Sequence, residues 1–248
     1  MIELAHTKVL CSVFGPHATD GRDFSEQGQL ECSLRFASFA RRGRERQNPA
    51  GSAEEKALSL ALSAALAASV QLHLLPKSTI AVHALVLEDD GGALPAAVSC
   101  ASLALADAAI ELYDLVASCG CAMLPTAADA PADAAAHIAL DATASELASA
   151  TGTLSVAIMP SLDQVTLLRQ EGRAPFERVG ESLQLALSGC RLLHQKMTDA
   201  LAAGAPGAAT VQPAAELKVV ETVTEESQQH EKAEAPPSKR QRQRVGKQ

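Results

Sequence analysis

Apolar residues in the first part of the chain recur with the two-residue period of β-strands. Apolar and polar residues alternate over residues 30–36, which predicts a strand with one buried face. Two short apolar runs, residues 2–5 and 8–14, predict a pair of strands joined by a tight turn. A polar loop is expected over residues 15–27. We therefore expect the chain to start with a small β-sheet.

Two segments carry the signals of helices. Ser52 followed three residues later by Glu55 is a capping box, and it predicts a helix that continues to residue 72 and ends before Pro76. Pro175 predicts the start of a final helix that runs to about residue 203. Apolar residues of this last helix recur at helical spacing and predict its packed face: Phe176, Val179, Leu183, Leu187, Cys190 and Leu193.

The segment from residue 85 to residue 121 organises the rest of the chain. A strand end is followed by a turn of acids and glycines at residues 88–92, because paired glycines tolerate backbone angles that other residues avoid. Residues 96–110 are almost all small or apolar, which predicts a helix buried on every side. Pro95 suits the first turn of that helix. Such a turn can bind phosphate through free backbone N–H groups and the helix dipole.

The other apolar runs predict more strands. They lie at residues 79–87, 115–124, 138–140, 154–159 and 164–168, and the last two form a hairpin. Residues 126–135 are a loop rich in Ala, Pro and Asp, and residues 143–150 are expected to be an irregular connection.

Composition narrows the possible functions. Hydrophobic residues make up 47% of the 248 residues, so a large core is available, but aromatic residues make up only 2% and there is no Trp. Stacking of bases on aromatic side chains is therefore not expected. No apolar run reaches the roughly 18 residues that a membrane span needs, so no membrane contact is expected. The first residues lack the basic and long apolar regions of a secretory signal.

The cysteines and histidines are expected to be structural. Six cysteines lie mostly inside apolar runs, which favours reduced, buried thiols over disulfides. Cys119 and Cys121 have the wrong spacing for a paired zinc site. His83 is expected in the core and His6 at an exposed turn. The adjacent acids at residues 88–90 could hold a metal, but acids at a turn are more often solvated, and we predict no metal and no cofactor.

The net charge of −8 is distributed unevenly along the chain. Residues 1–204 contain 23 acids and 14 bases, and an acidic body argues against a surface broadly dedicated to nucleic acid. Four bases stand out against this background: Arg41, Arg42, Arg44 and Arg46. They are either a solvated loop or a local contact for the phosphate backbone of RNA, and we predict the RNA contact.

The composition changes at residue 204. Residues 204–248 are rich in Ala, Gly, Pro, Glu and Gln and are predicted to be a disordered tail with a basic end. The tail has three possible roles, namely nuclear import, a loose RNA contact or an increase in solubility. Residues 1–203 are predicted to form one domain.

Four stretches together resemble the RNase PH family in sequence and order: HTKVLCSVFGP, FARRGRER, LVLEDDGGALPAAVSCASLALADAAIELYDLV and VAIMPSLDQVTLL. The resemblance covers about residues 1–203 and is greatest to subunits of the RNA exosome ring. It implies an α+β fold, a mixed sheet packed against helices as in ribosomal protein S5 domain 2. Family members carry a further segment before the first hairpin, so the N-terminus is expected to be short.

RNase PH enzymes degrade RNA from its 3′ end with phosphate as the nucleophile, and the resemblance implies that this chain has lost the reaction. The family's phosphate turn reads Asp-Gly-Gly-Thr-Arg-Thr, whereas this chain keeps Gly91 and Gly92 but has Ala93 and Leu94 next. The resemblance places a second phosphate-binding arginine near Ala53 and Glu54, and it places the catalytic aspartate at Thr153. Leu147 stands where a further acid is expected, and Asp141 and Glu146 match the acidic run upstream.

The resemblance therefore implies a scaffold role in 3′ processing and decay of ribosomal and messenger RNA. Expected partners are other RNase PH-like ring subunits, RNA-binding cap subunits, a hydrolytic nuclease and single-stranded RNA. Expected locations are the nucleus, nucleolus and cytoplasm. The alternative is an active phosphorolytic exoribonuclease whose site is completed by a partner subunit.

Overall fold

The computed structural model describes residues 1–18, 27–41, 52–125 and 137–203. The predicted disordered tail, the predicted loop at residues 126–135 and the arginines at positions 42, 44 and 46 lie outside these ranges. The boundary at residue 203 stays a prediction.

The N-terminal sheet contains four strands in the order β1-β2-β4-β3. They are β1 (Ile2–Leu4), β2 (Thr7–Ala18), β3 (Gln29–Phe36) and β4 (Ser78–Glu88). The strands pair antiparallel except β3 and β4, which are parallel and are joined through helix α1 (Ala53–Ala67). The expected loop over residues 15–27 is partly wrong, because β2 continues to Ala18 after a break in its register with β4.

The C-terminal sheet is antiparallel throughout, in the order β6-β5-β7-β8. Its strands are β5 (Ala117–Met123), β6 (Ile138–Leu140), β7 (Gly152–Met159) and β8 (Gln164–Gly172). The connection expected to be irregular contains a short helix, α3 (Ala144–Ser149). Thr143 and Glu146 form a capping box at its start, so the sequence carried the signal for this helix.

Helix α2 (Ala93–Asp107) packs between the two sheets and makes the centre of the fold. Twelve of its fifteen residues are buried, as its small and apolar composition predicts. Its two buried hydroxyls bind the second sheet: Ser99 Oγ accepts a hydrogen bond from Ser118 N at 3.1 Å, and Ser102 Oγ accepts one from Val116 N at 2.8 Å. The α+β class with sheets packed against helices is confirmed.

Helix α4 (Phe176–Ala202) covers the other face of the second sheet. It approaches closely at Gly189, where a Cβ would lie 3.0 Å from a Leu140 methyl carbon. The predicted packed face is correct except at its first residue, because Phe176 is 91% exposed. None of the described helices is long and apolar enough to cross a membrane.

Helix α1 protects the outer edge of β3. Ser59 Oγ accepts a hydrogen bond from Leu34 N at 2.8 Å, and Glu55 Oε1 accepts one from Phe36 N at 3.0 Å. Edge strands with free backbone groups invite pairing with other chains, and side chains that satisfy those groups block it. Glu55 therefore serves both the strand edge and the capping box of its own helix.

The structure also tests the expected positions of single side chains. His83 was expected in the core but is exposed on β4, where its ring lies 5.6 Å from the Phe14 ring. The reason is strand alternation, because Val82 and Ala84 on either side of it fill the buried face. His6 is exposed at the first turn, as expected. All six cysteines are free thiols, and four of them are buried.

One carboxylate ties three separate elements together. The Asp114 side chain, only 9% exposed, accepts hydrogen bonds from Ser161 N at 2.8 Å and from Ser161 Oγ at 3.0 Å. His194 Nε2 on α4 lies 3.3 Å from the same carboxylate. Asp114 thus links the segment after α2, the β7–β8 turn and the final helix.

We expect Asp114→Ala to lower the free energy of unfolding by about 1 kcal/mol, because it removes the largely buried acceptor of the Ser161 and His194 contacts. The control is Arg191→Ala, which breaks the exposed pair between Arg191 and Asp163 in the same turn and should cost no more than about 0.5 kcal/mol. Urea unfolding followed by circular dichroism measures both. Equal losses in the two variants would contradict a special role for Asp114.

Candidate functional site

The turn between β4 and α2 is fixed by the backbone angle of Gly91 and by side-chain hydrogen bonds. Gly91 has a φ of +112°, and a Cβ there would collide with a Leu147 methyl carbon, so only glycine fits. Asp89 Oδ1 accepts a hydrogen bond from Gly91 N at 3.0 Å. Asp90 N donates to Thr7 Oγ1 at 3.2 Å, and Asp90 Oδ1 accepts from Ala144 N at 3.2 Å. The turn is thereby fixed to β2 and to α3.

The residues that start α2 offer no side-chain donor to an anion. Gly92 caps α2 without a side-chain hydrogen bond, and Ala93 and Leu94 are each only 6% exposed. Pro95 has no N–H group. Gly91 and Gly92 form the predicted turn, and Ala93 and Leu94 present methyl groups at the positions that the resemblance compares with a hydroxyl and a guanidinium.

A cleft of about 930 Å³ opens beside this turn, lined by residues of both sheets and of helices α1 to α3. Five of its charged lining residues are acids: Glu54, Asp89, Asp90, Asp141 and Glu171. Among the described residues that line the cleft, only Arg41 and Arg169 are basic. An excess of three carboxylates disfavours the binding of an anion such as phosphate.

Arg41 is held by acids on two sides. Its Nε donates to Asp89 Oδ2 at 2.8 Å, and its NH1 and NH2 atoms donate to the two oxygens of Glu54 at 2.9 and 2.7 Å. The guanidinium also lies 3.9 Å above the centre of the Phe36 ring. Hydrogen bonding to Glu54 is the main reason that the pKa of Arg41 is raised.

The pKa of the Glu54 carboxyl is shifted in the opposite direction. The hydrogen bond from Arg41 lowers the pKa of the Glu54 carboxyl, and the charges of Arg41 and Arg169 act in the same direction. Arg169 on β8 is itself paired with Glu171 two residues later. Both arginines of the cleft therefore already have carboxylate partners.

The predicted catalytic positions also lie in the cleft. Thr153, at the position expected for the catalytic aspartate, faces the cleft from β7 between its strand partners Ala122 and Glu171. Its hydroxyl cannot hold a metal or act as a base as a carboxylate would. Leu147, at another expected acid, packs on Gly91.

The two acids that match the family's acidic run have different roles. Asp141 lines the cleft, where surrounding protein displaces water and raises the pKa of its carboxyl. Glu146 accepts hydrogen bonds from Thr143 N and Thr143 Oγ1, and these contacts cap helix α3. Among the described residues, no group of three His, Cys, Asp or Glu side chains is placed to hold a metal ion.

Most of this site was predicted from the sequence, but its pairing was not. Glu54 was expected near the position of a phosphate-binding arginine, whereas Glu54 and Asp89 were not expected as partners of Arg41, which was predicted to contact RNA. Arg169 and Glu171 were not predicted. Their alternation along β8 was a usable signal, because both belong to the strand face that points away from α4. The other predicted RNA contacts, Arg42, Arg44 and Arg46, lie outside the described residues.

Comparisons with known proteins show which family this chain is similar to. Residues 1–111 match the 3′ exoribonuclease family, domain 1. Human exosome complex component MTR3 is 40% identical over 214 residues, which cover 81% of this chain and 75% of the human protein. Exosome complex component Rrp41 of the archaeon Cenarchaeum symbiosum is 33% identical over 202 residues, covering 81% of this chain and 78% of that protein.

A solved structure supports the fold independently. The crystal structure of rice Rrp46 superposes with a TM-score of 0.66 at 21% sequence identity, covering 79% of this chain and 84% of the rice chain. The similarity to MTR3 confirms the resemblance to exosome components of the mRNA-transport-regulator type. With a relative that is 40% identical and covered over three quarters of its length, this chain belongs to the 3′ exoribonuclease family, also called the RNase PH family.

Proposed function

We propose that this chain is a non-catalytic subunit of an RNA exosome ring, with a structural role in 3′ to 5′ RNA processing and decay. The observation that carries the proposal is the state of the cleft. Both of its described arginines are paired with carboxylates, its turn offers no side-chain donor, and a threonine stands at the position of the catalytic aspartate. The names of the relatives support membership of an exosome.

The energetic cost of these losses supports an inactive site. Removing one donor that stabilises a developing negative charge typically costs about 2.7–4 kcal/mol of transition-state stabilisation. Here the hydroxyl and guanidinium of the turn, a second arginine and the central carboxylate are all replaced. The five carboxylates that line the cleft add a further barrier against an incoming phosphate.

We extend the proposal to partners and to location. The partners are other RNase PH-like ring subunits, RNA-binding cap subunits, a separate hydrolytic nuclease and single-stranded RNA. The role includes ribosomal RNA processing and messenger RNA turnover in the nucleus, nucleolus and cytoplasm. Copurification of the tagged chain with its neighbours, followed by mass spectrometry and microscopy, tests these assignments directly.

The RNA contact is assigned to the arginines that follow Arg41. Arg41 uses its guanidinium on Glu54 and Asp89, so Arg42, Arg44 and Arg46 carry the contact with the sugar-phosphate backbone. Backbone contacts of this kind carry no base specificity. The remainder of the body is acidic, so the contact is local.

We expect the purified chain to release no nucleoside diphosphates from single-stranded RNA when orthophosphate is supplied, either alone or in its assembled complex with the hydrolytic nuclease inactivated. Thin-layer chromatography of end-labelled RNA measures the products. A phosphorolytic member of the family serves as the positive control. Phosphate-dependent release by the complex that is lost on mutating Asp141 would instead establish an active, composite site.

We expect the triple variant Arg42→Glu, Arg44→Glu and Arg46→Glu to weaken RNA binding by the assembled complex at least 10-fold and to leave assembly intact. The negative slope of log affinity against log salt concentration should become shallower by about 2, because each of the three lost contacts with single-stranded RNA contributes about 0.7 to it. The matched control changes the same charge at three exposed bases elsewhere: Lys56, Arg191 and Lys196. Equal losses of affinity in both triple variants would remove the specific role of the basic cluster.

A further inference from the structure

The Glu54 carboxylate is bound in the way that proteins bind phosphate. Arg41 NH1 and NH2 each donate to a different Glu54 oxygen, at 2.9 and 2.7 Å. This two-pronged arrangement is the one that arginine uses for carboxylate and phosphate alike, since both present two oxygens in a plane. The carboxylate is therefore a chemical equivalent of an anionic ligand.

The position of this carboxylate relates it to the phosphate turn. Arg41 bridges Glu54 to Asp89, and Asp89 in turn accepts the hydrogen bond from Gly91 N, so a continuous chain of polar contacts joins Glu54 to the turn. Arg169 acts on the carboxylate electrostatically from β8. Glu54 thus lies in a field made by two cations, on the wall of the cleft that holds the glycines.

We propose that the Glu54 carboxylate is a built-in occupant of the anion-binding guanidinium of Arg41 and that it adds to the other carboxylates of the cleft in keeping phosphate from binding there. The inference deepens the proposed function, because it names a group that helps to keep the site free of the nucleophile. A carboxylate tethered on α1 competes with free phosphate at an effective concentration in at least the millimolar range. Phosphate must displace it and must also approach the neighbouring Asp89.

The same contact has a structural benefit. In a site that binds phosphate, the anion neutralises the arginines and holds the surrounding segments together. Here the Glu54 side chain joins the start of α1 to the end of the β3 segment through Arg41, and Asp89 extends the contact to the turn. The cleft is held together without a ligand, which suits a subunit that has a structural role.

The half-exposed position of Glu54 makes the proposal testable. Its side chain is 53% exposed and that of Arg41 is 36% exposed, so solutes reach both groups. Glu54→Gln keeps the size of the side chain and removes its charge, which frees the Arg41 guanidinium for an external anion. Asp89 is only 9% exposed and stays in place behind the guanidinium.

The experiment compares the melting temperature of the full chain in potassium phosphate and in potassium chloride of equal ionic strength. Phosphate stabilises folded proteins in general, so the response of a variant is its rise in melting temperature beyond that of the unmodified chain. We expect a response of about 3 °C for Glu54→Gln, because a ligand that binds only the folded state stabilises it. Line broadening of the phosphorus-31 resonance of phosphate, seen only with Glu54→Gln, provides a second measurement that does not depend on stability.

Two further variants make the result specific. Glu177→Gln removes an acid from the first turn of another helix, α4, and should show no response to phosphate. Adding Arg41→Gln to Glu54→Gln should abolish the response, since the binding group is then gone. A Glu54→Gln protein that gains no response, or a gain equalled by Glu177→Gln, would overturn the inference and leave the proposed function standing. Binding of phosphate by the unmodified chain would overturn the inference and contradict the proposed reason for inactivity.

Discussion

The fold depends on how closely helix α2 packs between two sheets. Its small side chains let both sheets approach, and its two buried serines satisfy backbone N–H groups of the segment that enters β5. Because the helix is covered on nearly every side, its first turn is held at a fixed position relative to β4, α3 and the end of β3. The cleft is therefore a consequence of packing.

The shape of the glycine turn has structural causes that do not depend on a ligand. Gly91 is still required by its backbone angle and by contact with Leu147, so the turn is kept for structural reasons alone. Ala93 and Leu94 now contribute buried apolar surface to the core. The charged residues of the cleft also contact one another, since each of its described arginines has a carboxylate partner within the chain. The polar groups of the cleft are therefore engaged in contacts within the chain.

Most elements followed from local signals, and the errors have identifiable causes. The capping box at Ser52 located α1 correctly, whereas the equivalent signal at Thr143 was overlooked and α3 was expected to be irregular. β2 runs past Gly15 because it pairs with β4, a long-range contact that the polar residues of that segment do not indicate. His83 was assigned to the core from its apolar surroundings, although alternation along the strand places it on the opposite face.

The sequence by itself determined the class of fold, the buried central helix, the glycine turn and the residue identities at the positions that the resemblance compares with catalytic and phosphate-binding side chains. These features depend on periodicity or on residue identity at a motif, and both can be read from neighbouring positions. Tertiary structure alone decided which charges meet. Arg41, Glu54, Asp89 and Arg169 come from four separate segments, and an ion pair forms only where the packing of those segments brings its two groups within a few ångströms.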